Sequence, residues 1–191
     1  VTESTQEIVV TTKGGKFTYD GQAHGATVEV TNLPNGYTVE KAKSSATAKD
    51  VTEEAVKATA DNLVIKNAAG KDVTGNLNIK KVDGTLEITP APLTVTTAGD
   101  SKVYDGKPLT NKDGKIEGLV KGETATLKTT GSQTEVGTSD NTYVIEWGTA
   151  KVGNYKVTQE TLGKLVVTES TQEIVVTTKG GKFTYDGQAH G

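Results

Sequence analysis

Short stretches of alternating apolar and polar residues run along almost the whole chain. Phe17 and Tyr19 share a face, as do Ala26, Val28 and Val30; Tyr37 and Val39 alternate with Thr38 and Glu40. Leu77 pairs with Ile79 in this sense, and Leu86 with Ile88. Later, Tyr143, Ile145 and Trp147 share a face, then Tyr155 and Val157. A period of two over short runs, with turns between them, predicts strands and an all-β fold. Thr and Val together make up more than a quarter of the residues, and β-branched side chains suit a half-buried pleated surface. Four pairs, Asp20-Gly21, Asp83-Gly84, Asp105-Gly106 and Asp113-Gly114, are expected at tight hairpins, where glycine supplies the positive φ.

Asp50 to Asn62 departs from this pattern. Its sequence, DVTEEAVKATADN, is helical by propensity, and Asp50 and Glu53 have capping-box spacing. Its counterpart later in the chain, anchored by Val51 matching Val136, contains a glycine and then a clear strand. Ala55 to Ala60 is therefore read as strand, with a helical turn near Thr52 as the alternative.

The alternation is organised by repeats at two levels. Val167 to Gly191 repeats Val1 to Gly25 without a difference, an offset of 166 residues. A fixed period of this kind marks a tandem array, so the chain reads as a stretch cut from one. Within the unit, Val10, Thr11, Thr12, Gly14, Tyr19, Asp20 and Gly21 match Val95, Thr96, Thr97, Gly99, Tyr104, Asp105 and Gly106. Leu33, Gly36 and Thr38 match Leu119, Gly122 and Thr124; Gly75 to Ile79 matches Gly153 to Val157; Gly84-Thr85-Leu86 matches Gly163-Lys164-Leu165. The unit is thus two diverged versions of one small domain. The domains are placed at 1–91 and 92–167, and 168–191 opens the next repeat, identical to 2–25. Thr89-Pro90-Ala91-Pro92 is a stiff connector, and Thr168 to Glu173 is a short polar one.

Composition removes several classes of chemistry. Cysteine is absent, which excludes disulfides, thiolate metal sites and thiol nucleophiles. All 21 basic residues are lysine and the net charge is −3. The chain therefore offers no basic field for nucleic acid, and no arginine to grip phosphate. No apolar run approaches membrane-spanning length, so membrane insertion is not expected. No signal peptide is expected in a stretch cut from an array. Leu33-Pro34-Asn35-Gly36 lies mid-domain with no apolar tail and is not read as a sortase signal.

Two motifs, Lys16-Phe17-Thr18-Tyr19-Asp20-Gly21 and Lys102-Val103-Tyr104-Asp105-Gly106, carry a family resemblance, together with the closing segments Val82 to Ala91 and Leu162 to Thr168. Their order and spacing, found twice, resemble the MBG or YDG-type repeat domains of large bacterial surface proteins. The resemblance implies a wall-attached, extracellular adhesin or stalk protein of Gram-positive type. It carries over no catalytic residue.

Candidate sites are few. Tyr19, Asp20, Gly21 and Tyr104, Asp105, Gly106 have two readings, as a recognition loop or as a sheet-edge tyrosine followed by a turn; the second is preferred. Trp147 could stack on a sugar, but its phase with Tyr143 and Ile145 assigns it to the core. His24 and His190 are one residue seen in two copies and are placed on a surface loop. Asn111 to Glu117 lacks the oxygen ligands calcium needs and is read as a solvated turn. A Lys–Asn isopeptide bond lacks its usual motif; Leu33 to Tyr37 resembles the end of one without the preceding glutamate. No catalytic constellation, cofactor or metal site is expected.

The expected architecture is a rod of tandem small β domains. They are immunoglobulin-like sandwiches, or β-grasp-like domains should Thr52 to Ala60 be helical. The expected function is a stalk that projects a distal binding region. The alternative is multivalent binding of mucin glycans or matrix protein by the repeat itself. Expected partners are neighbouring repeats. Residues 173–178 are read as the cut edge of the array, with two alternatives: a strand that completes the sheet of the preceding domain, or one that pairs with another chain's edge.

Overall fold

The computed structural model describes residues 6–190; residues 1–5, which open the first domain as drawn from sequence, and Gly191 lie outside the described residues. Ten strands fill the stretch up to Pro90: β1 (Ile8–Lys13), β2 (Gly15–Thr18), β3 (His24–Gly25), β4 (Thr27–Thr31), β5 (Thr38–Lys43), β6 (Thr47–Ala48), β7 (Val56–Ala58), β8 (Asn62–Lys66), β9 (Ile79–Val82) and β10 (Gly84–Thr89). Eight follow: β11 (Ala91–Thr97), β12 (Asp100–Val103), β13 (Gly114–Glu117), β14 (Ala125–Thr129), β15 (Gly137–Asp140), β16 (Tyr143–Trp147), β17 (Tyr155–Thr161) and β18 (Lys164–Thr168). Two short 3-10 turns, Thr74–Asn76 and Val152–Asn154, precede β9 and β17. The fold is all-β, as expected, and is built from several small sheets. Among the described residues, none of the strand pairings crosses Pro90.

The first and last strands of each half organise it. β1 pairs antiparallel with β4 and parallel with β9, and β2 pairs parallel with β10. Later, β11 pairs antiparallel with β13 and parallel with β17, and β12 pairs parallel with β18. The chain therefore enters each domain at one end and leaves it at the other. Antiparallel first and last strands would have returned it to the same end.

Each of these long strands switches sheets midway, at glycine. A Cβ on Gly14 would lie 1.8 Å from the Thr85 carbonyl oxygen, and one on Gly84 would lie 2.4 Å from that of Thr12. The second domain repeats the crossing: a Cβ on Gly99 would meet the Lys164 oxygen at 2.6 Å, and one on Gly163 would meet the Gly99 nitrogen at 2.1 Å. Two backbones pass where no side chain fits.

The hairpin expectation is corrected at all four Asp-Gly pairs, and the positive φ is found at two of them. Gly21 and Gly106 have φ of 77° and 75°. Gly84 and Gly114 instead begin strands without positive φ. Gly84 is required by the crossing, and a Cβ on Gly114 would meet Leu127 Cδ2 at 2.5 Å. Asp20-Gly21 and Asp105-Gly106 turn the chain without making hairpins, because β2 does not pair with β3 nor β12 with β13.

Of Ala55 to Ala60, read as strand, Val56–Ala58 is one; the chain bends at Glu53 and Glu54, and no helical turn forms near Thr52. Thr52 donates its N–H to the Ile88 oxygen (3.1 Å), and the Ile88 N–H donates to Thr52 Oγ1 (3.2 Å). Val56–Ala58 forms β7 against β10. No helix longer than a 3-10 turn occurs among the described residues, so the condition that favoured a β-grasp arrangement is not met.

Three apolar cores result. Ile8, Val10, Ala60 and Ile65 form one in the N-terminal half of the first domain. Leu109, Leu165 and Val167 form a small one in the C-terminal half of the second. The largest lies between them and belongs to both domains: Tyr19, Ala48, Leu86 and Ile88 meet Ala91, Leu93, Ala150 and Tyr155.

Residues 173–178 do not complete the preceding sheet, which removes that alternative. β18 already has β12 on one edge and β15 on the other. The tail is exposed, with Ile174 at 85% and Val176 at 84%. The same sequence forms central strand β1 in the first domain, where β4 and β9 supply partners for both edges.

Candidate functional site at the domain junction

The sequence brings Tyr19 to the C-terminal end of its domain. It follows β2 directly, and its backbone N–H donates to the carbonyl of Thr89, the last residue of β10 (2.8 Å). Asp20 then turns the chain: its Oδ1 accepts the Gln22 N–H at 2.8 Å and lies 3.0 Å from His24 Nε2. These contacts hold the Asp20 carboxyl below its ordinary range, the Gln22 amide contributing most. The His24 ring stacks on Phe17 (4.1 Å between centroids), and His24 is half-buried in β3, paired with Ala48, which corrects its expected place on a surface loop.

The side chain of Tyr19 leaves its own domain. It is 5% exposed, stands edge-on to Tyr155 at 5.5 Å and donates its hydroxyl to Glu123 Oε1. Tyr155 donates to the other oxygen, Oε2, at 2.5 Å, and accepts the Val120 N–H at 3.0 Å. One carboxylate thus serves two tyrosines from different domains. The two hydroxyls, Tyr155 first, pull the Glu123 carboxyl below its ordinary 4.5. Burial, then the Glu123 bond, pushes Tyr155 up to about 12, and the Glu123 bond raises Tyr19.

Asn154 makes a second bridge. Its Oδ1 accepts the Val51 N–H at 2.9 Å, and its Nδ2 donates to Asp50 Oδ1 at 2.8 Å. Lys151 Nζ closes on Asp50 Oδ2 at 2.7 Å. Lys151, then Asn154, lowers the Asp50 carboxyl. Beside these groups, a Cβ on Gly21 would lie 2.9 Å from Val120 Cγ1, so the turn glycine also permits the domains' close approach.

The second motif is placed alike but is uncovered. The Tyr104 N–H donates to the carbonyl of Thr168, the last residue of β18, at 2.8 Å. Its side chain is 38% exposed. Asp105 Oδ1 accepts the Lys107 N–H at 2.9 Å and pairs with Lys102 Nζ; Gly106 has open space around it.

Trp147 is half-buried and stacks on Tyr155 at 5.9 Å, which agrees with the core assignment. Asn111 to Asp113 is a loop but Gly114–Glu117 is β13, which corrects the reading of the whole stretch as a turn; Asn111 Nδ2 donates to the Gly99 oxygen (3.0 Å), and Asn111 Oδ1 accepts the Asp113 N–H (2.8 Å). The buried polar residues are Thr12, Thr97, Asn141 and Asn154, so no described lysine is buried against an asparagine. No three or more of the described His, Asp and Glu residues gather as a metal site. No helix among the described residues is long and apolar enough to cross a membrane.

Sequence reasoning missed Glu123, Asp50, Lys151 and the bridging role of Asn154. Asn154 was within reach, because Gly153-Asn154 repeats Gly75-Asn76. Glu123 carries no such signal; its first-domain counterpart is Tyr37.

Residues 89–162 match the YDG domain. The match begins at the last residue of β10 and runs just past β17, and it includes Tyr104, Glu123, Asn154 and Tyr155. No curated protein and no solved structure matches the chain.

Proposed function

We propose that this chain is a structural stalk repeat of an extracellular, cell-wall-attached adhesin of Gram-positive type, projecting a distal binding region from the cell. The observation that carries this reading is the parallel pairing of first and last strands in both domains, with a buried junction between them. Opposite poles for arrival and departure let domains add end to end. The shared core limits bending, since inter-domain motion is the default only where an interface is small and polar. A strand path from Ile8 to Thr18 spans about 36 Å at ~3.3 Å per residue, so each added pair lengthens the rod by roughly 70 Å.

A second reading has one observation in its favour. Tyr143, Ile145 and Trp147 of β16 face Glu160 and Leu162 across a shallow groove. Aromatic faces beside a carboxylate suit a glycan, and identical copies would add avidity. Against it, Tyr143 already donates to Glu160 (2.6 Å) and Trp147 is stacked on Tyr155. Strand-mediated self-association through 173–178 is also a proposal; a mass that rises with concentration would support it.

The test compares one unit with three, by X-ray scattering and by binding to immobilised mucins, glycans and matrix proteins. A maximum dimension that grows by a constant step, without binding, supports the stalk. Saturable binding that strengthens with copy number would replace it with the adhesive reading.

A further inference from the structure

We infer that the C-terminal pole of the second domain is a docking surface for the N-terminal pole of a further copy of the first domain. The inference rests on the reading of the chain as part of a tandem array. The pole is built from Tyr104, Gly106, Glu135 and Val136, and these correspond to Tyr19, Gly21, Asp50 and Val51, which seat the second domain on the first.

The two sets differ in cover. Tyr19 is 5% exposed and Tyr104 38%. Val51 packs on the shared core, whereas Val136 is 49% exposed. The turn glycine meets Val120 in the first motif and nothing within 4 Å in the second. The core beneath is also incomplete. Leu165 and Val167 occupy the places of Leu86 and Ile88 beside the crossing strand, but only Leu109 joins them, where the first pair is joined by residues from the next domain.

The complementary half is present at the other end of the chain. Where the second domain offers Leu119, Val120, Glu123, Asn154 and Tyr155, the first has Leu33, Pro34, Tyr37, Asn76 and Leu77. Asn76 ends a 3-10 turn just as Asn154 does, and it is exposed. An incoming Asn76 would accept the Val136 N–H and donate to Glu135, repeating the Asn154 bridge. The sequence leaving the second domain identifies the occupant: Val167 to Gly191 is the opening of the first domain.

The junctions would not be identical. Tyr37 replaces the carboxylate, so the second junction brings ring against ring without a shared charge. Its tether is also longer. Only Pro90 separates Thr89 from Ala91, whereas Glu169, Ser170 and Thr171 separate Thr168 from Gln172, the counterpart of Ala91. Such a short tether still holds the poles at about millimolar effective concentration.

The test is hydrogen exchange at the Val136 amide in the 191-residue chain and in a doubled chain, in which residues 1–166 precede residues 1–191. Segmental isotope labelling of the first copy keeps its Val136 distinct. Exchange is expected to slow by at least about tenfold in the doubled chain, and Asn76→Ala in the second copy should restore it without changing the Val51 amide. Equal exchange in both chains overturns the inference, as does protection that survives Asn76→Ala. X-ray scattering of the doubled chain reads the array separately: lengthening by a full unit with an unprotected Val136 keeps the stalk and removes this junction.

Discussion

Glu123 is the most consequential single residue at the junction, because it satisfies two tyrosine hydroxyls at once. Glu123→Ala leaves the 5%-exposed Tyr19 and 7%-exposed Tyr155 without that acceptor. A buried polar group without a partner costs about 1–3 kcal/mol, and the variant should lose stability on that scale in urea titrations followed by Trp147 fluorescence. Glu123→Gln keeps one acceptor oxygen and should lose less. Equal stability of Glu123→Ala and the parent chain would remove the bridge from the energetics. The turn at Asp20-Gly21 was legible in sequence because it is local: Asp186, Gly187 and His190 form the same turn in the exposed tail, with φ 75° at Gly187 and the His190 ring stacked on Phe183. The destination of the tyrosine was not legible. Tyr19 and Tyr185 share their flanking residues, yet one is 5% and the other 96% exposed, because the partner carboxylate lies 104 residues away in the chain.

At the level of elements, the glycines at the strand crossings matter more than those in turns. Gly163→Ala would place a Cβ 2.1 Å from the Gly99 nitrogen, and backbone cannot yield as a side-chain tip can. Overpacking of this kind costs about 1–3 kcal/mol and more where the backbone must shift, so this variant should reach at least the upper end. Gly153→Ala meets nothing within 4 Å and needs no positive φ; it should stay within about 0.5 kcal/mol of the parent. Both lie in the domain of Trp147, so one fluorescence-detected urea titration ranks them. Sequence alternation located strands such as β2 and β10 because the buried face is written at every second residue. It did not show that these strands change sheets, because Gly14 and Gly84 look like any strand-breaking glycines until the opposing backbone is seen. The Asp-Gly pairs misled for the same reason: Gly84 answers to a crossing strand, and Gly114 to Leu127.

At the scale of the whole molecule, the shared core should make the two domains unfold together, and its charges set the pH range over which they do so. Glu123 and Asp50 are both held below their ordinary 4.5 and 3.8 by contacts across the junction. The unfolded chain therefore takes up protons first as pH falls, so their contribution is complete above about 4.5 and is lost as pH drops through the folded-state values. The tyrosines set the other limit. Tyr155, raised to about 12, and Tyr19, also raised, stay protonated after the unfolded chain begins to ionise near 10, so stability falls as pH rises beyond that point. Near neutral pH, Trp147 fluorescence, which reports the second domain, and far-ultraviolet circular dichroism, which reports both, should give coincident urea transitions. At about pH 3 the bridges weaken and the transitions should separate. Glu123→Gln removes the main titrating group of the bridge, so its curves should change less between the two conditions. Coincident transitions in acid as well as at neutral pH would mean that the apolar contacts of Leu86, Ile88, Leu93 and Tyr155 couple the domains without the carboxylate. Separate transitions at neutral pH would mean that the junction does not couple them at all, and a stalk of such units would bend at every Pro90.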